Sequence, residues 1–472
     1  MHQQLSEWFR RAIVDGQLQP GQRLPSSRSL ADELKISRVP VMSAYEQLYA
    51  EGYLETFVGA GTCVARSIPG RTPKPSGTGP FDVTLPSIEN HAPRRISRRA
   101  GLIQVPPQTW LNNLGAFRIG VPALDQFPAS VWSKLVNRHS RKLPIELMAY
   151  GDPMGYLPLR VAIAEYLSTV RAVRCDASQI LVTTGSQQAL QMCAHVLLDA
   201  NDRAWVEEPG YPGARHALVR AGVRLVPVPV DQEGMDVAQG IRRGRGARVV
   251  YITPSHQFPL GVTMSAARRM QLLNWATRNG AWIIEDDYDS EYRSGGRPIA
   301  SLQGLDIGER VIYVGTFSKV MFPALRLGYM VVPKDLLPVF FDARDAADTF
   351  SSTLYQMVMT DFIREGHFAR HIKRMRTLYM ERRTALMEAI HKQLRDKLEV
   401  IGTEAGMHLV ALLPPGIDDV AVSIKAASKG VSARPLSPCY VNPPARGGLI
   451  LGYGGADVAE ILDGVRKLKQ CI

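Results

Sequence analysis

Apolar positions at the amino end fall at helical spacing. Leu5, Trp8, Phe9, Ala12 and Ile13 lie at i, i+3, i+4, i+7 and i+8, one face of an amphipathic helix that Asp15-Gly16 and Pro20-Gly21 end. Ser26 is placed to cap a second helix, Ser27 to about Leu34. After a tight Lys35-Ile36 turn, Ser37 is placed to cap a third, with Val41, Tyr45 and Leu48 on one side. Pro40 falls at about its third position, where a missing N–H costs little because first-turn donors have no intrahelical partner. Residues 53–57 and 62–65 then read as two strands of a hairpin around 58–61. From Asn112 onward apolar runs at 180–183, 203–206, 248–253, 281–285, 310–314 and 327–332 alternate with helical patterns. That cadence predicts an α/β fold, a mostly parallel sheet covered by helices. From about Asp335 the chain is helix-rich and then βαβ-like, a smaller C-terminal subdomain.

Three helices and a β-hairpin make a winged helix-turn-helix, whose third helix enters the major groove by its N-terminal end. The expected division is a DNA-binding domain at 1–65, a linker at 66–107 and the α/β body at 108–472. Residues 68–80 have the composition of an extended, solvated linker. The run Arg94-Arg-Ile-Ser-Arg-Arg99 either tracks DNA phosphates or is a solvated charged face. Net charge is +12, compatible with a nucleic-acid partner. Residues 1–80 hold nine Lys/Arg against seven Asp/Glu, so the placement of charges, not their excess, must carry DNA binding. No run approaches the ~18 apolar residues of a membrane helix. The start lacks the basic-then-apolar pattern of a signal peptide. The five cysteines are scattered, without a Cys-x-x-Cys pair. The expectation is a cytoplasmic protein with no metal site.

The stretch 316–328, Thr-Phe-Ser-Lys-Val-Met-Phe-Pro-Ala-Leu-Arg-Leu-Gly, sets Lys319 among small hydroxyls with Arg326 seven positions on. Thr316 and Ser318 can hydrogen-bond a phosphate and Arg326 can bind it bidentately, neighbours that suit an amine carrying an aldehyde cofactor as a Schiff base. Upstream, 282–288 reads as a buried strand that delivers Asp286 and Tyr288 at its carboxyl end. A carboxylate there can pair with a protonated pyridine nitrogen, as pyridoxal phosphate requires. Ser318-Lys319 alone reads as plainly as a strand followed by a surface lysine; the acid, the phenol and Arg326 in register weigh against that. Residues 180–190 look like a strand, a glycine turn and a helix start, which makes Ser186 and Gln187 candidate phosphate ligands.

These blocks resemble the fold-type I pyridoxal-phosphate enzymes, the aspartate-aminotransferase-like group, whose acid-to-lysine spacing suits Asp286 and Lys319. The resemblance implies pyridoxal 5'-phosphate on Lys319 and Tyr211 stacked on the pyridine ring. It also implies a homodimer in which Tyr150, in Ala149-Tyr-Gly-Asp-Pro-Met-Gly155, is lent to the neighbouring subunit's phosphate. Two departures stand out. Phe258 occupies the place of the asparagine that would bond the cofactor's phenolic oxygen, which leaves His256 or Gln257 for that role and Tyr288 as the better partner. Ile450 occupies the place of the arginine that anchors a substrate carboxylate, with Arg434 and Arg446 close enough in sequence to substitute.

At the amino end, Leu24-Pro-Ser-Ser-Arg28, Ser37-Arg38, Tyr45-Glu-Gln-Leu48, Glu51-Gly-Tyr-Leu54 and Gly59-Ala-Gly-Thr62 closely resemble the GntR class of bacterial regulators. The likeness implies that Arg28 and Arg38 face DNA, that Ser37 touches phosphate, and that a wing with Gly59, Gly61 and Thr62 lies along the backbone. Val41 and Met42 count with them as DNA-contacting positions of the third helix. Met42 stands where relatives often carry a basic residue, and it can meet a thymine methyl. The two halves together resemble the MocR/GabR family. That likeness implies a transcription regulator that binds an operator in double-stranded DNA and responds to an amine, an amino acid or the cofactor itself. The alternative is a catalytically active aminotransferase with an accessory amino-terminal domain.

Overall fold

Phe9 and Ile13 from α1 (His2–Val14) meet Leu30 from α2 (Ser27–Glu33) and Val41, Tyr45 and Leu48 from α3 (Arg38–Ala50) in a small core. Leu54 and Val64, from the antiparallel pair β1 (Leu54–Phe57) and β2 (Gly61–Val64), close it. Phe9, Ala12 and Ile13 of the face predicted for α1 are buried, as are Val41, Tyr45 and Leu48 of α3, but Leu5 is half-buried and Trp8 is 58% exposed. Ser26 caps α2 by accepting from Ser29 N–H at 3.1 Å. Ser37 does not do the same for α3: it stands at the N-cap, but its side chain makes no cap bond and is exposed. The Tyr45 phenol donates to the Pro25 carbonyl at 3.0 Å and ties α3 to the segment before α2.

The structure, a computed structural model, describes residues 1–57, 61–67, 97, 115–293, 300–402 and 405–472. It divides into two compact units, Met1–Arg94 and Arg95–Ile472. Apart from 66, 67 and 97, the expected linker and the basic run at 94–99 lie outside the described residues, as does Gly59 of the wing.

The larger unit is built on an eight-stranded sheet. Its strands are β3 (Ile180–Thr183), β4 (Arg203–Glu208), β5 (Arg224–Asp231), β6 (Gly234–Met235), β7 (Ala247–Ile252), β8 (Trp282–Asp287), β9 (Val311–Thr316) and β10 (Gly328–Val331), in the order β3-β10-β9-β8-β7-β4-β5-β6. The pairs from β9 through to β5 are parallel, while β10 runs antiparallel to both β9 and β3. Helices on both faces explain why these strands read as unbroken apolar runs. Each predicted run became a strand. The sequence pattern missed β5, because Pro227 and Pro229 break it. A proline is tolerated where ladder bonding is one-sided, and β5 has full-length β4 on one side and only two-residue β6 on the other.

The smaller sheet comprises β11 (Glu399–Ile401), β12 (His408–Leu412), β13 (Arg434–Pro435) and β14 (Gly448–Gly452), ordered β11-β12-β14-β13 with every pair antiparallel. The expected βαβ unit is split: β12, the helix Asp419–Ser428 and β13 follow in sequence, but β14 inserts between the two strands. Among the described residues no helix is long and apolar enough to cross a membrane. In the large sheet β4, β7, β8 and β9 all end at one edge, where open α/β sheets place their ligand crevice.

Candidate cofactor and nucleic-acid sites

That edge holds a cavity of about 380 Å³. Lys319 enters it from the turn after β9, which buried Phe317, Val320 and Met321 hold down. Its amine donates to the Gly120 carbonyl at 3.1 Å. Gly120 has φ +67°, and a Cβ there would stand 2.3 Å from the lysine nitrogen, so glycine keeps the amine's place open. Burial pulls the Lys319 pKa down against the pull of Asp289 and Asp286, which favours the neutral, nucleophilic amine.

Asp286, near the end of β8, faces the same space. Its Oδ2 accepts from the Tyr251 phenol at 2.9 Å, while its Oδ1 is buried without a partner among the described residues. Burial pushes this carboxyl up to about 7, with the Tyr251 hydrogen bond opposing. A buried carboxylate oxygen left bare in a ligand-sized cavity fits a group that brings its own donor, such as a protonated ring nitrogen.

An anion cradle closes the opposite wall. Gly185, at φ +137°, turns the chain from β3 into the helix Ser186–Leu197, and Gly185, Ser186 and Gln187 at its start line the cavity, where first-turn N–H groups favour an anion. The Arg326 guanidinium crosses this turn, 3.6 Å from where a Cβ on Gly185 would be. Thr316 and Ser318 line the same wall, with Ser318 N–H donating to Thr316 Oγ1 at 3.1 Å. Tyr211 forms a side wall and meets Phe258 edge-on, ring centroids 5.7 Å apart. The phosphate, ring-nitrogen and aldehyde ends of pyridoxal phosphate thus have complementary groups in one space.

Ser186, Gln187, Tyr211, Asp286, Tyr288, Thr316, Ser318, Lys319 and Arg326 all line the cavity. His256 does not: it is buried behind Tyr288, with Nδ1 3.0 Å from the Tyr288 oxygen and 2.9 Å from Asp289 Oδ1. Gln257 is held by the carbonyls of Pro209 and Phe258 and by Leu260 N–H. Of His256, Gln257 and Tyr288, Tyr288 is the one that lines the cavity. Tyr150 is 88% exposed on the surface of its own chain. The two candidate anchoring arginines separate. Arg434 lines the cavity, whereas Arg446 bonds the Leu413 carbonyl and pairs with Glu399 at 2.5 Å. Sequence reasoning missed Tyr251, Thr253, Asp289 and His408. Asp289 was within reach, one residue beyond Tyr288. The others sit in apolar runs with no signal of their own until β7 and β12 bring them to the site.

In the amino-terminal unit Arg28 and Arg38 are exposed, and the Arg38 guanidinium accepts its orientation by donating to Ser27 Oγ at 3.0 Å. Arg10 is internally neutralised, paired with Glu51 at 2.8 Å and Glu7 at 2.5 Å. Met42 is 40% exposed, and Gly61 and Thr62 are half-buried on β2. Val41 is withdrawn from the DNA-contacting set: it is fully buried in the three-helix core, on the face opposite solvent. Arg23, missed in the sequence, is exposed, and its guanidinium lies 3.4 Å from a Cβ built on Gly61, beside the wing.

Residues 118–452 match the family model for aminotransferase class I and II, and residues 2–64 match that for bacterial regulatory proteins of the gntR family. Over 470 residues the chain is 39% identical to the probable rhizopine catabolism regulatory protein MocR of Rhizobium meliloti, covering 100% of this chain and 93% of that protein. It is 32% identical to the pyridoxine biosynthesis transcriptional regulator PdxR of Corynebacterium glutamicum, covering 98% and 95%. Among solved structures, the alpha-aminoadipate aminotransferase LysN of Thermus thermophilus, complexed with N-(5'-phosphopyridoxyl)-L-leucine, superposes with a TM-score of 0.74 at 30% identity, over 80% of this chain and 96% of that one. With a GntR-type winged helix-turn-helix and an aminotransferase class I and II fold in one polypeptide, matched end to end by such proteins, the chain belongs to the MocR/GabR family.

Proposed function

We propose that this protein is a DNA-binding transcription regulator whose body holds pyridoxal 5'-phosphate on Lys319 and responds to an amine, an amino acid or the cofactor. The observation that carries the cofactor reading is the bare, buried Asp286 Oδ1 in the cavity that also holds the Lys319 amine. When bound, the cofactor supplies an aldehyde that reacts with amines and a ring that accepts electrons. Asp286 holds the proton on the ring nitrogen. Ser186, Gln187, Thr316, Ser318 and Arg326 bind the phosphate, and Tyr211 orients the ring. Full-length likeness to proteins named as regulators supports the regulatory half. Tyr150, exposed on its own chain, is available to a second copy, and the reading includes a homodimer. A monomer at micromolar concentration that binds the cofactor fully would remove that part.

The head is read as the DNA contact because Arg28 and Arg38 are exposed, while the nearby Arg10 is neutralised by acids. Arg38→Ala should weaken binding to an operator fragment by about 1–3 kcal/mol if the side chain reads a base edge, and Arg28→Ala should weaken it too. Affinity should fall steeply with salt as phosphate contacts require. Titrations by fluorescence anisotropy check this, and unchanged affinity in both variants sinks the winged-helix assignment. Removing residues 1–65 should abolish DNA binding and leave cofactor uptake intact.

The transaminase reading gains one observation, since Arg434 stands in the cavity as a possible carboxylate anchor.

A further inference from the structure

Behind Tyr288 lies a buried set of polar groups that the cofactor reading does not use. His256 Nδ1 stands 2.9 and 3.1 Å from the two Asp289 oxygens and 3.0 Å from the Tyr288 hydroxyl. Its Nε2 is buried with no partner among the described residues. His408 packs against it, ring centroids 5.2 Å apart, and directs its own Nε2 to the Pro259 carbonyl at 3.0 Å. Gly406, at φ +80°, makes the room: a Cβ there would lie 2.1 Å from His256 Cε1 and 2.6 Å from Asp289 Oδ2.

The proton positions follow from the partners. A carboxylate only accepts, so Asp289 requires the hydrogen on Nδ1 of His256. The bare nitrogen is then Nε2, which matches its lack of a donor; a buried N–H left unpaired there would be the costlier arrangement. An Nδ1 that carries hydrogen cannot accept from Tyr288. On that side the phenol oxygen is an acceptor, and its own O–H is turned away from the histidine, toward the cavity.

We propose that the His256–Asp289 dyad is a positioning device that fixes the direction of the Tyr288 hydroxyl, so that it donates to an anionic oxygen of the ligand in the cavity. This rests on the cofactor reading, in which that oxygen is the phenolic oxygen of pyridoxal phosphate. The dyad thereby does through Tyr288 what Phe258 cannot do directly. A fixed donor stabilises the oxygen as an anion and makes it depend less on the neighbouring protonated, lysine-linked nitrogen. It therefore lowers the pH at which that nitrogen gives up its proton. The other charged or titratable groups around the dyad and the phenol include Asp286 and Asp287 from β8, Glu207 from β4, His408 from β12, Tyr292 and Tyr453 beside Asp289, and Lys319 and Arg434 across the cavity. None of them bonds the Tyr288 hydroxyl or His256 Nδ1 among the described residues. His256, Asp289 and His408 also bring ligand-type atoms within 4.8 Å of one another. Their hydrogen bonds account for His256 Nδ1 and His408 Nε2 but not for His256 Nε2, so metal content belongs to the test.

The test is a pH titration of the visible band of the full chain reconstituted with pyridoxal 5'-phosphate. Tyr288→Phe should raise the midpoint by about one unit or more, a tenfold change in the proton equilibrium. His256→Leu should raise it in the same direction and add nothing in the Tyr288→Phe background. His256→Asn, whose amide nitrogen can stand near the place of Nδ1, should return the midpoint toward wild type. Asp289→Asn covers the case in which the leucine variant fails to fold. Loss of its negative charge alone lowers the midpoint, whereas loss of the tautomer preference raises it, so a fall or no change counts against the dyad. An unmoved midpoint in His256→Leu, equal shifts with and without the Tyr288 hydroxyl, or a stoichiometric metal in the purified protein overturns the proposal. A wild-type chain that develops no visible band overturns the cofactor reading and the dyad with it; a band with an unmoved midpoint overturns the dyad alone.

Discussion

Lys319→Ala should remove the visible band entirely, while the variant folds and still binds the operator. The wild-type protein should be yellow, and borohydride should bleach it and fix the cofactor to one lysine. The effect should be all-or-none because, on the proposed reading, the lysine amine is the atom that joins the cofactor. The folding cost should be small, since among the described residues Lys319 makes one hydrogen bond, to the Gly120 carbonyl at 3.1 Å, and a typical bond of that kind contributes about 1 kcal/mol net. Asp286→Asn should weaken uptake as well, because an amide supplies no counter-charge to a ring cation. The asparagine variant is preferable to alanine, which would leave the buried Tyr251 hydroxyl without its acceptor. Mass spectrometry of the reduced protein decides the matter: a reducible covalent adduct in Lys319→Ala would falsify the assignment of Lys319.

How much of this was legible beforehand depended on where each residue's partners lie in the chain. The amino-terminal unit could be read almost whole, because its core is local: the α1 face, the Ser26 cap and Pro40 in the first turn of α3 each follow from spacings within a few residues. Val41 shows the limit. Its place near the start of the reading helix suggested a groove contact, but the i, i+4, i+7 pattern it shares with Tyr45 and Leu48 is the pattern of the buried face. Met42, one residue on, is turned outward by the same 100° step that turns Val41 in.

In the body, the strand runs and the 282–288 and 316–328 blocks were visible because parallel strands buried on both faces are continuously apolar and carry their chemistry at their carboxyl ends. β5 was lost to its prolines. The Tyr251 support for Asp286 was not legible, because a tyrosine inside an apolar strand gives no hint of which neighbouring strand will face it; the β7–β8 pairing decides that. His256 was offered, with Gln257, as a partner for the cofactor's phenolic oxygen, but it does not line the cavity. Only the depth of the loop shows that it stands behind Tyr288 and not beside it in the cavity.

The same kind of cross-strand fact bears on whether the body still turns over substrate. Ile450 fills the sequence position expected of a carboxylate-anchoring arginine, but its register partner on β13 is Arg434. That side chain lines the cavity, with its guanidinium 5.9 Å from the centre of the Phe258 ring and its Nε buried without a partner among the described residues. An unpaired, partly dry guanidinium is a strong site for a carboxylate. Arg434→Met should therefore weaken amino acids that displace Lys319 by about 1.5–3 kcal/mol, the range for hydrogen bonds to charged groups, or roughly ten- to a hundredfold. It should leave simple amines nearly unaffected, and Arg446→Met, outside the cavity, should change neither. Spectral titration with matched amine and amino-acid pairs measures the difference, and equal losses for both classes would remove Arg434 as the anchor. The parallel assay is transamination across ordinary donors and keto acids, with operator affinity measured with and without each. A regulator should show negligible turnover and an operator affinity that a carboxylate ligand shifts in wild type but not in Arg434→Met. Rapid multiple turnover, lost in Arg434→Met, with operator affinity unmoved by any ligand, would instead make the body an enzyme and the winged helix its accessory.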